Sequence, residues 1–194
     1  MAKHRTPPWF ILIFWPVVDK ILRAIYRIKP LKPDGSSIIS LDIRHYKGAT
    51  KILNDGSKVK TGDKIIEIHL NNDWFKESRK LPMKAPQSAW QIMSCLEQDL
   101  RFLAQQIMNG MFEDVVALHA LTLLHAGTKR LGFQIEEVPD NLWNKGAHFY
   151  MAGLMQIYRL RANDASRNKR RSLELKEVWL SKTALLEKYG SRHP

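Results

Sequence analysis

The chain has 194 residues, 44% of them apolar, which is typical of one globular domain with or without an appendage. Its single cysteine excludes an intramolecular disulfide framework. The formal charge of +12 belongs to the ends: residues 1–33 hold seven Lys and Arg against one acid, residues 159–194 hold ten against four, and the 125 residues between hold fourteen of each sign. Because affinity for nucleic-acid phosphate comes from neutralising charge, a DNA-binding groove on this electrically balanced body is not expected.

The amino-terminal segment, residues 9–28, combines a strongly apolar run with a basic face. Ten apolar residues extend from Trp9 to Val18, which is fewer than the roughly 20 that span a bilayer. Beyond Pro16, apolar residues recur at helical spacing with basic residues opposite. The pattern predicts an amphipathic helix in the headgroup layer of a membrane. The predicted membrane contacts are Trp9, Phe10, Phe14, Trp15, Lys20, Arg23 and Arg27.

Three other interpretations of this segment remain open. A secretory signal shares the short apolar run, but charged residues follow it where a small-residue cleavage site is expected. A core helix of the folded body would bury the same apolar side chains without any membrane. A helix that docks on a partner protein would bury them between chains.

Strand-like sequence begins after a proline- and glycine-containing stretch, residues 30–37, that stops the first helix. Three β-branched runs follow: IISLDIRHY, ATKIL and KVKTGDKIIEIHL. The Asp-Gly pair in NDGS predicts a hairpin before Val59, and TGD at residues 61–63 predicts a further turn. The three runs are therefore predicted to form a small antiparallel meander. Side chains alternate along a strand, so Glu67, His69 and Asn71 should form a polar row facing away from the apolar side, either on a solvated face or in a pocket.

The remaining sequence predicts alternating helices and strands. Helices are predicted from Ser88, a capping-box residue, to Gly110, and again over residues 142–160, with Phe149 facing inward. Between them, a strand over residues 115–121 carries His119, a two-turn helix over residues 122–132 follows, and a strand covers residues 133–138. A last short strand leads to a terminal helix capped at its amino end by Ser181 and closed by Gly190.

These elements predict an α+β fold, with a small, mainly antiparallel sheet packed with two or three helices and an additional amphipathic amino-terminal helix. The predicted organisation is an apolar and basic helical segment at residues 1–33, an α+β domain at residues 34–162, and a basic link, short strand and helix at residues 163–194.

Candidate chemistry rests on single residues, because the sequence contains no common nucleotide-binding, metalloprotease or hydrolase motif. The candidates for acid–base catalysis are His69, His119, His125 and Glu67, since imidazole titrates near neutrality. The same four could bind zinc, but their spacing does not require it, so neither a metal site nor a particular cofactor is predicted. The candidate ligand-binding residues are Asp63, Asn71, Lys129 and Arg130, of which the last two suit phosphate or carboxylate.

Three stretches resemble the YkoP-like domain, a bacterial family typified by an uncharacterised Bacillus protein and also found attached to polysaccharide deacetylase domains. They are RHYKGATKILNDGSKVKTGDKIIEIHLNN, LLHAGTKRLGF and EVWLSKTALLEKYG. The resemblance implies a role associated with envelope polysaccharide or lipid, but the metal-binding motifs of the deacetylase fold are missing, so deacetylase activity is not implied. The characteristic family positions, with no role attached, are Gly62, Asp63, His69, Asn71, His125, Gly127 and Gly132.

The leading prediction is a bacterial protein at the cytoplasmic face of the membrane. It would act as a binding or accessory protein, with or without enzymatic activity, in cell-envelope polysaccharide or lipid metabolism. Its expected partners are an anionic membrane surface and an anionic ligand, such as a lipid-linked or phosphorylated sugar, in a pocket lined by His and Asn. The alternative is a nucleic-acid-binding protein whose basic ends follow the phosphate backbone.

Overall fold

The computed structural model describes residue 20 and residues 28–78, 89–158 and 174–190. Lys20 is helical and exposed, while the other predicted membrane contacts lie outside the described residues. Within the part of the chain that the structure describes, no helix combines the length and apolar character needed to cross a bilayer.

A six-stranded sheet forms the centre of the fold. Its strands are Lys29–Pro30 (β1), Ile39–His45 (β2), Lys64–Leu70 (β5), Val115–Thr122 (β6), Gln134–Glu137 (β7) and Lys176–Ser181 (β8). They lie in the order β1-β2-β5-β6-β8-β7, and every neighbouring pair is antiparallel except β5 and β6. The predicted α+β class with a mainly antiparallel sheet is therefore confirmed.

The three β-branched runs do not form the predicted meander. The hairpin at NDGS is present, between Lys51–Ile52 (β3) and Lys58–Val59 (β4), but these two strands form a sheet of their own. Strand β2 pairs directly with β5 along its whole length. β2 and β5 have seven residues each, so pairing them buries more apolar surface than pairing either with a two-residue strand would, and it leaves the β3–β4 hairpin outside the central sheet.

Within the described residues, four helices with complete bounds accompany the sheet: Asn72–Ser78 (α1), Ala89–Met108 (α2), Leu142–Tyr158 (α3) and Lys182–Tyr189 (α4). The predicted cap of α4 is confirmed, because the Ser181 hydroxyl accepts a hydrogen bond from the Ala184 N–H at 2.9 Å. Gly110 follows α2 with a φ of 87°, as a helix-ending glycine does. The predicted helix over residues 122–132 is wrong: only the 3₁₀ turn His125–Gly127 forms, in keeping with the low stability of such short helices.

The main core lies between α2, α4 and one face of the sheet, here called the inner face. Ile66 is completely buried there, and Ile68 and Leu70 pack against the same cluster, as their alternation predicted. The prediction that Phe149 faces inward is wrong, because this side chain is 67% exposed on α3. Apolar residues occur on almost every side of α3, so spacing alone did not single out an inward face.

A buried aspartate, which the sequence analysis missed, joins α2 to the start of β2. Asp99 accepts hydrogen bonds from the Ser37 hydroxyl at 2.7 Å and from the Ile39 N–H at 3.1 Å. Lys32 supplies a cation at 3.1 Å from the other carboxylate oxygen. The Asn71 amide donates to the Ser37 carbonyl at 2.9 Å, so the end of β5 is attached to the same point.

Replacing Asp99 by alanine should lower the free energy of unfolding substantially. The substitution removes a buried carboxylate that accepts two hydrogen bonds, each worth about 1.5–3 kcal/mol when one partner is charged, and leaves the Ser37 hydroxyl and the Ile39 N–H only the bonds between these two residues. Urea denaturation measures the loss. Glu97→Ala is the control on the same helix, because its exposed pair with Arg101 contributes only about 0–1 kcal/mol. Equal losses in the two variants would contradict the anchoring role of Asp99.

Candidate functional site

The face of the sheet opposite the core, the outer face, carries seven charged side chains that alternate in sign. We call this set the charge chain, and in order of contact it consists of Asp42, Arg44, Glu67, His119, Glu177, Lys51 and Glu136. Each of its three cations lies between two carboxylates. The chain extends from β2 to β7 and includes one residue of the β3–β4 hairpin.

Strand register brings the centre of the charge chain together. Asp42 is paired with Glu67, Glu67 with His119, and His119 with Trp179, across four neighbouring strands. Paired residues share a face of the sheet, so this row lies on the side opposite Ile66 and the core. Glu177, two residues from Trp179 on β8, lies on the same face.

Arg44 connects the first two carboxylates. Its Nε and Nη2 atoms donate to one Asp42 oxygen at 3.1 and 2.5 Å, and its Nη1 lies 2.6 Å from a Glu67 oxygen. The planar guanidinium group suits this role because it directs separate N–H groups at two acceptors. Glu67 is thereby fixed in position beside the histidine that follows in the chain.

His119 is the central cation. Its Nε2 lies 3.0 Å from Glu177, within hydrogen-bond distance, and its Nδ1 lies 3.8 Å from Glu67, where attraction between charges remains strong. The His119 ring also packs against Trp179, with ring centroids 4.3 Å apart. His69 lies on the other side of Glu67, with its Nε2 3.9 Å from that carboxylate. The neighbouring strands thus place both imidazoles beside one glutamate.

Lys51 continues the chain from the hairpin to the edge of the sheet. Its ammonium group lies 3.2 Å from Glu177, contacts Glu136 on β7, and lies 5.0 Å from the centre of the Trp179 ring. Gln134 donates to the second oxygen of Glu136 at 2.6 Å. Since Lys51 is the hairpin's member of the charge chain, these contacts hold the hairpin to β8 and to the edge strand β7.

These contacts determine the protonation of the central groups. Burial alone would lower the pKa of His119, but the hydrogen bond to Glu177 and the nearby Glu67 carboxylate raise it above its usual value. Burial alone would raise the pKa of Glu177, but His119, Trp179 and Lys51 lower it to about 2. The pKa of Glu67 is also lowered, against the effect of burial, by His119, His69 and Arg44. At neutral pH the two glutamates are therefore ionised, and both favour the protonated form of the imidazole between them.

The β3–β4 hairpin covers the amino-terminal half of the outer face of β5. Its Leu53 and Val59 form a second apolar cluster with Ile65 and Trp179, and Trp179 is only 1% exposed. The Trp179 indole lowers the pKa of Glu177, although its N–H forms no hydrogen bond of ordinary geometry. The Asn54 N–H donates to Gln134 at 2.8 Å, which adds a second attachment of the hairpin to β7. Glu177 of β8 and Glu136 of β7 lie at the margin of the area that the hairpin covers.

Two of the predicted ligand-binding residues have structural contacts. Asn71 is buried, donates to the Ser37 carbonyl, and accepts from the Asp73 N–H at 3.2 Å at the start of α1. Asp63 accepts from the Lys60 N–H at 2.7 Å within the turn before β5. Polar residues at strand ends commonly satisfy backbone groups in this way. Their roles in ligand binding stay predictions.

The other predicted residues lie after the carboxyl end of β6. His125 is in the 3₁₀ turn, where the Thr128 hydroxyl donates to its carbonyl at 2.9 Å, and its buried Nδ1 has no hydrogen-bond partner. Lys129 and Arg130 are exposed, and the Arg130 carbonyl accepts from Lys188 of α4. The contacts of this turn are therefore with the helix side of the sheet, whereas His69, His119 and Glu67 belong to the outer face. Within the described residues, no group of three or more His, Cys, Asp and Glu side chains is arranged to hold a metal ion.

Five members of the charge chain were missed by the sequence analysis. The run SLDIRH in β2 alternates between polar and apolar residues, and that signal places Asp42 and Arg44 on one face of the strand. The run KEVWLS in β8 does not alternate, so it gives no such signal for Glu177. No local signal indicates that these strands and β7 lie close to Glu67. Lys51 lies in a two-residue strand, which is too short for a periodic pattern.

Comparison with known proteins identifies the family. The model of the YkoP domain matches residues 9–189. The chain belongs to the YkoP domain family. The uncharacterized protein YkoP of Bacillus subtilis (strain 168) is 27% identical to it over 125 residues, which are 64% of this chain and 68% of that protein. No solved structure matches the chain.

The resemblance to the YkoP family in the sequence is thus confirmed. Four members of the charge chain lie in the stretches that carry this resemblance: Arg44, Lys51 and Glu67 in residues 44–72, and Glu177 in residues 177–190. The family match covers the whole outer face but attaches no activity to it. The contacts around His119 are consequently the direct evidence about its chemistry.

An NMR titration of the His119 imidazole should give a pKa above the ordinary value of 6.5. Glu67→Gln and Glu177→Gln should each lower that pKa, because each removes a negative charge beside the imidazolium. Glu187→Gln, an exposed change on α4, should leave it unchanged. A wild-type pKa at or below 6.5, or equal shifts in all three variants, would contradict the assigned contacts.

The effect of Glu177→Gln on stability should depend on pH. Because the pKa of Glu177 is lowered from 4.5 to about 2 on folding, its carboxylate stabilises the folded state above pH 4.5, and this contribution is lost as the pH falls toward 2. In urea denaturation we expect a clear loss of stability in the variant at about pH 6 and a smaller one at about pH 3. Glu187→Gln should change the free energy of unfolding little at either pH. If Glu177→Gln lowered that free energy equally at both pH values, the stability would not depend on the pKa of Glu177.

Proposed function

We propose that this YkoP-domain protein is a binding or accessory protein of the bacterial cell envelope, held at the cytoplasmic surface of the membrane by its amino-terminal segment. Its ligand contacts the outer face of the sheet beside the charge chain. The observation that supports this site most directly is the position of His119, an imidazole fixed between two carboxylates that favour its protonated form, on a face that remains partly open to solvent.

The protonation states favour binding over acid–base catalysis. A general base at neutral pH needs an available lone pair, and the two carboxylates beside His119 favour the protonated ring, which has none. A general acid needs a proton to give, and the lowered pKa values of Glu67 and Glu177 leave both carboxylates without one. If His119 lost its proton, the carboxylates of Glu67 and Glu177 would lose the positive charge that lies between them. The charge chain is therefore suited to hold a fixed array of donors and acceptors.

The membrane part of the proposal rests on the charge distribution along the chain. Residues 1–33 carry +6 beside an apolar run, while residues 34–158 contain equal numbers of acidic and basic residues. A basic amphipathic helix binds anionic lipid through both its apolar side and its charges. Lys20, one of the described residues in this part of the chain, is exposed, so its positive charge is available to anionic lipid.

Charge reversal in the amino-terminal segment should release the protein from anionic vesicles. In flotation assays with phosphatidylglycerol-containing vesicles, the full-length triple variant Lys20→Glu, Arg23→Glu, Arg27→Glu should bind at least about 100-fold more weakly, since each basic residue near the surface contributes about 1 kcal/mol. The control is Lys47→Glu, Lys58→Glu, Lys60→Glu, which makes the same change in net charge at exposed positions of the folded body.

Equal loss of flotation in both triple variants would show that total charge, and not this segment, determines binding. The same proteins titrated with a DNA duplex provide the comparison with the alternative function. Binding to DNA that falls steeply with salt, together with no flotation of the wild type, would replace the membrane proposal with nucleic-acid binding.

A further inference from the structure

We infer that the ligand of the outer face is an electrically neutral, hydroxyl-rich molecule, such as an uncharged saccharide, and that it binds at the Lys51–Glu136–Glu177 end of the charge chain. This inference rests on the proposed function, because it names the ligand class of the same site. It differs from the anionic ligand that the sequence predicted.

The location follows from where the charge chain is accessible. Glu136 and Glu177 side chains are 32% and 26% exposed, and Lys51 is 18% exposed, whereas Glu67 and His119 are each 11% exposed. The hairpin that carries Lys51 stands on the outer face over Trp179. We call the junction between the hairpin, at Lys51, and the sheet, at Glu177 and Glu136, the step. A ligand at this step would contact the sheet on one side and the hairpin on the other.

The mixture of charges at this end disfavours a charged ligand. Lys51 lies between the carboxylates of Glu136 and Glu177, and His119 lies on the other side of Glu177. An anion that contacted Lys51 would lie beside these carboxylates, and a cation that contacted the carboxylates would lie beside Lys51. Like charges at such short distances repel each other strongly in a partly buried site. A neutral ligand avoids both repulsions.

The hydrogen-bonding capacity that remains suits hydroxyl groups. An ammonium group has three N–H donors, and Lys51 uses two of them on Glu136 and Glu177. Each carboxylate has about four acceptor positions, of which Glu136 uses two, for Lys51 and Gln134, and Glu177 uses two, for His119 and Lys51. A hydroxyl both donates and accepts, so adjacent hydroxyls can donate to the carboxylates and accept from the ammonium without disturbing the existing pairs.

Leu121 supplies an apolar surface beside these polar groups. It is paired with Glu177 on the outer face and is half-buried. Saccharide rings present C–H groups as well as hydroxyls, so a floor that combines a leucine with carboxylates matches both kinds of surface. Small-molecule sites commonly have this composition, with a few polar groups that fix orientation within apolar surroundings.

A set of tetrasaccharides that differ in charge tests the inference with the full-length protein. The neutral probes are cellotetraose, maltotetraose and mannotetraose, the cationic probe is tetraglucosamine, and the anionic probe is tetragalacturonate. Isothermal titration calorimetry should show at least one neutral probe binding about tenfold or more tightly than both charged probes. In NMR spectra, that neutral probe should shift the Gln134 side-chain amide and the Trp179 indole N–H signals.

Matched substitutions on β7 locate the binding. Glu136→Ala should weaken binding of the neutral probe about tenfold or more, because it removes a charged acceptor at the step. Glu137→Ala is the control, since Glu137 is also paired with a lysine, Lys176, but its side chain lies on the other face of the same strand. Urea denaturation should show both variants folded, because β7 is an edge strand and both side chains are partly or largely exposed.

Three results would overturn the inference: preferential binding of either charged tetrasaccharide, no binding of any neutral one, or equal weakening by Glu136→Ala and Glu137→Ala. The vesicle flotation experiment distinguishes a wrong ligand assignment from a wrong membrane assignment. A protein that floats with vesicles but binds no neutral tetrasaccharide retains the membrane role and loses the ligand assignment. A protein that binds the neutral probe at Glu136 without floating retains the site and loses the membrane role.

Discussion

The contact of the His119 imidazole with Glu67 and Glu177, which lie on either side of it, is the interaction on which the outer face depends. On one side, Glu67 is held by Arg44 of β2; on the other, Glu177 is held by Lys51 of the hairpin. His119 therefore connects two clusters of charge that would otherwise be independent. Buried charges are stable only when paired, so loss of this central cation would leave both glutamates incompletely compensated. The arrangement of charges on the outer face follows from this pairing, and it includes the hairpin through the contact of Lys51 with Glu177.

The central sheet separates two environments with different physical roles. Its inner face packs apolar residues against α2 and α4, which supplies most of the buried apolar surface and hence the main drive for folding. Its outer face pairs charges that would be unfavourable to bury singly and combines them with a smaller apolar cluster around Trp179. A face of this kind offers fixed donors and acceptors to a ligand while the core remains undisturbed. This division is the structural basis for proposing a binding role.

Local patterns predicted the individual elements well. Alternation in β5 identified the apolar face of Ile66 and the polar face of Glu67, because side-chain direction along a strand depends only on position. Capping by Ser181 and the turn at Asp-Gly also rest on local hydrogen bonds and backbone preferences. Local patterns could not distinguish a ligand-binding side chain from a structural one when the same residue type serves both purposes. Asn71 has the polar character of a site residue, yet its amide joins the strand end to Ser37 and the first turn of α1.

The sequence by itself determined the distribution of charge, with basic ends and a balanced body, and the two faces of β5, since both depend on composition or on neighbouring residues. Only the tertiary structure decided which charges pair. Lys51 and Glu177 are separated by 126 positions, and His119 and Glu177 by 58, so their contacts depend on strand order and not on spacing. The order β2-β5-β6-β8-β7 is a property of the whole sheet, because each strand must satisfy its neighbours' backbone groups and bury a common core. For that reason the charge chain became visible only when the sheet was assembled.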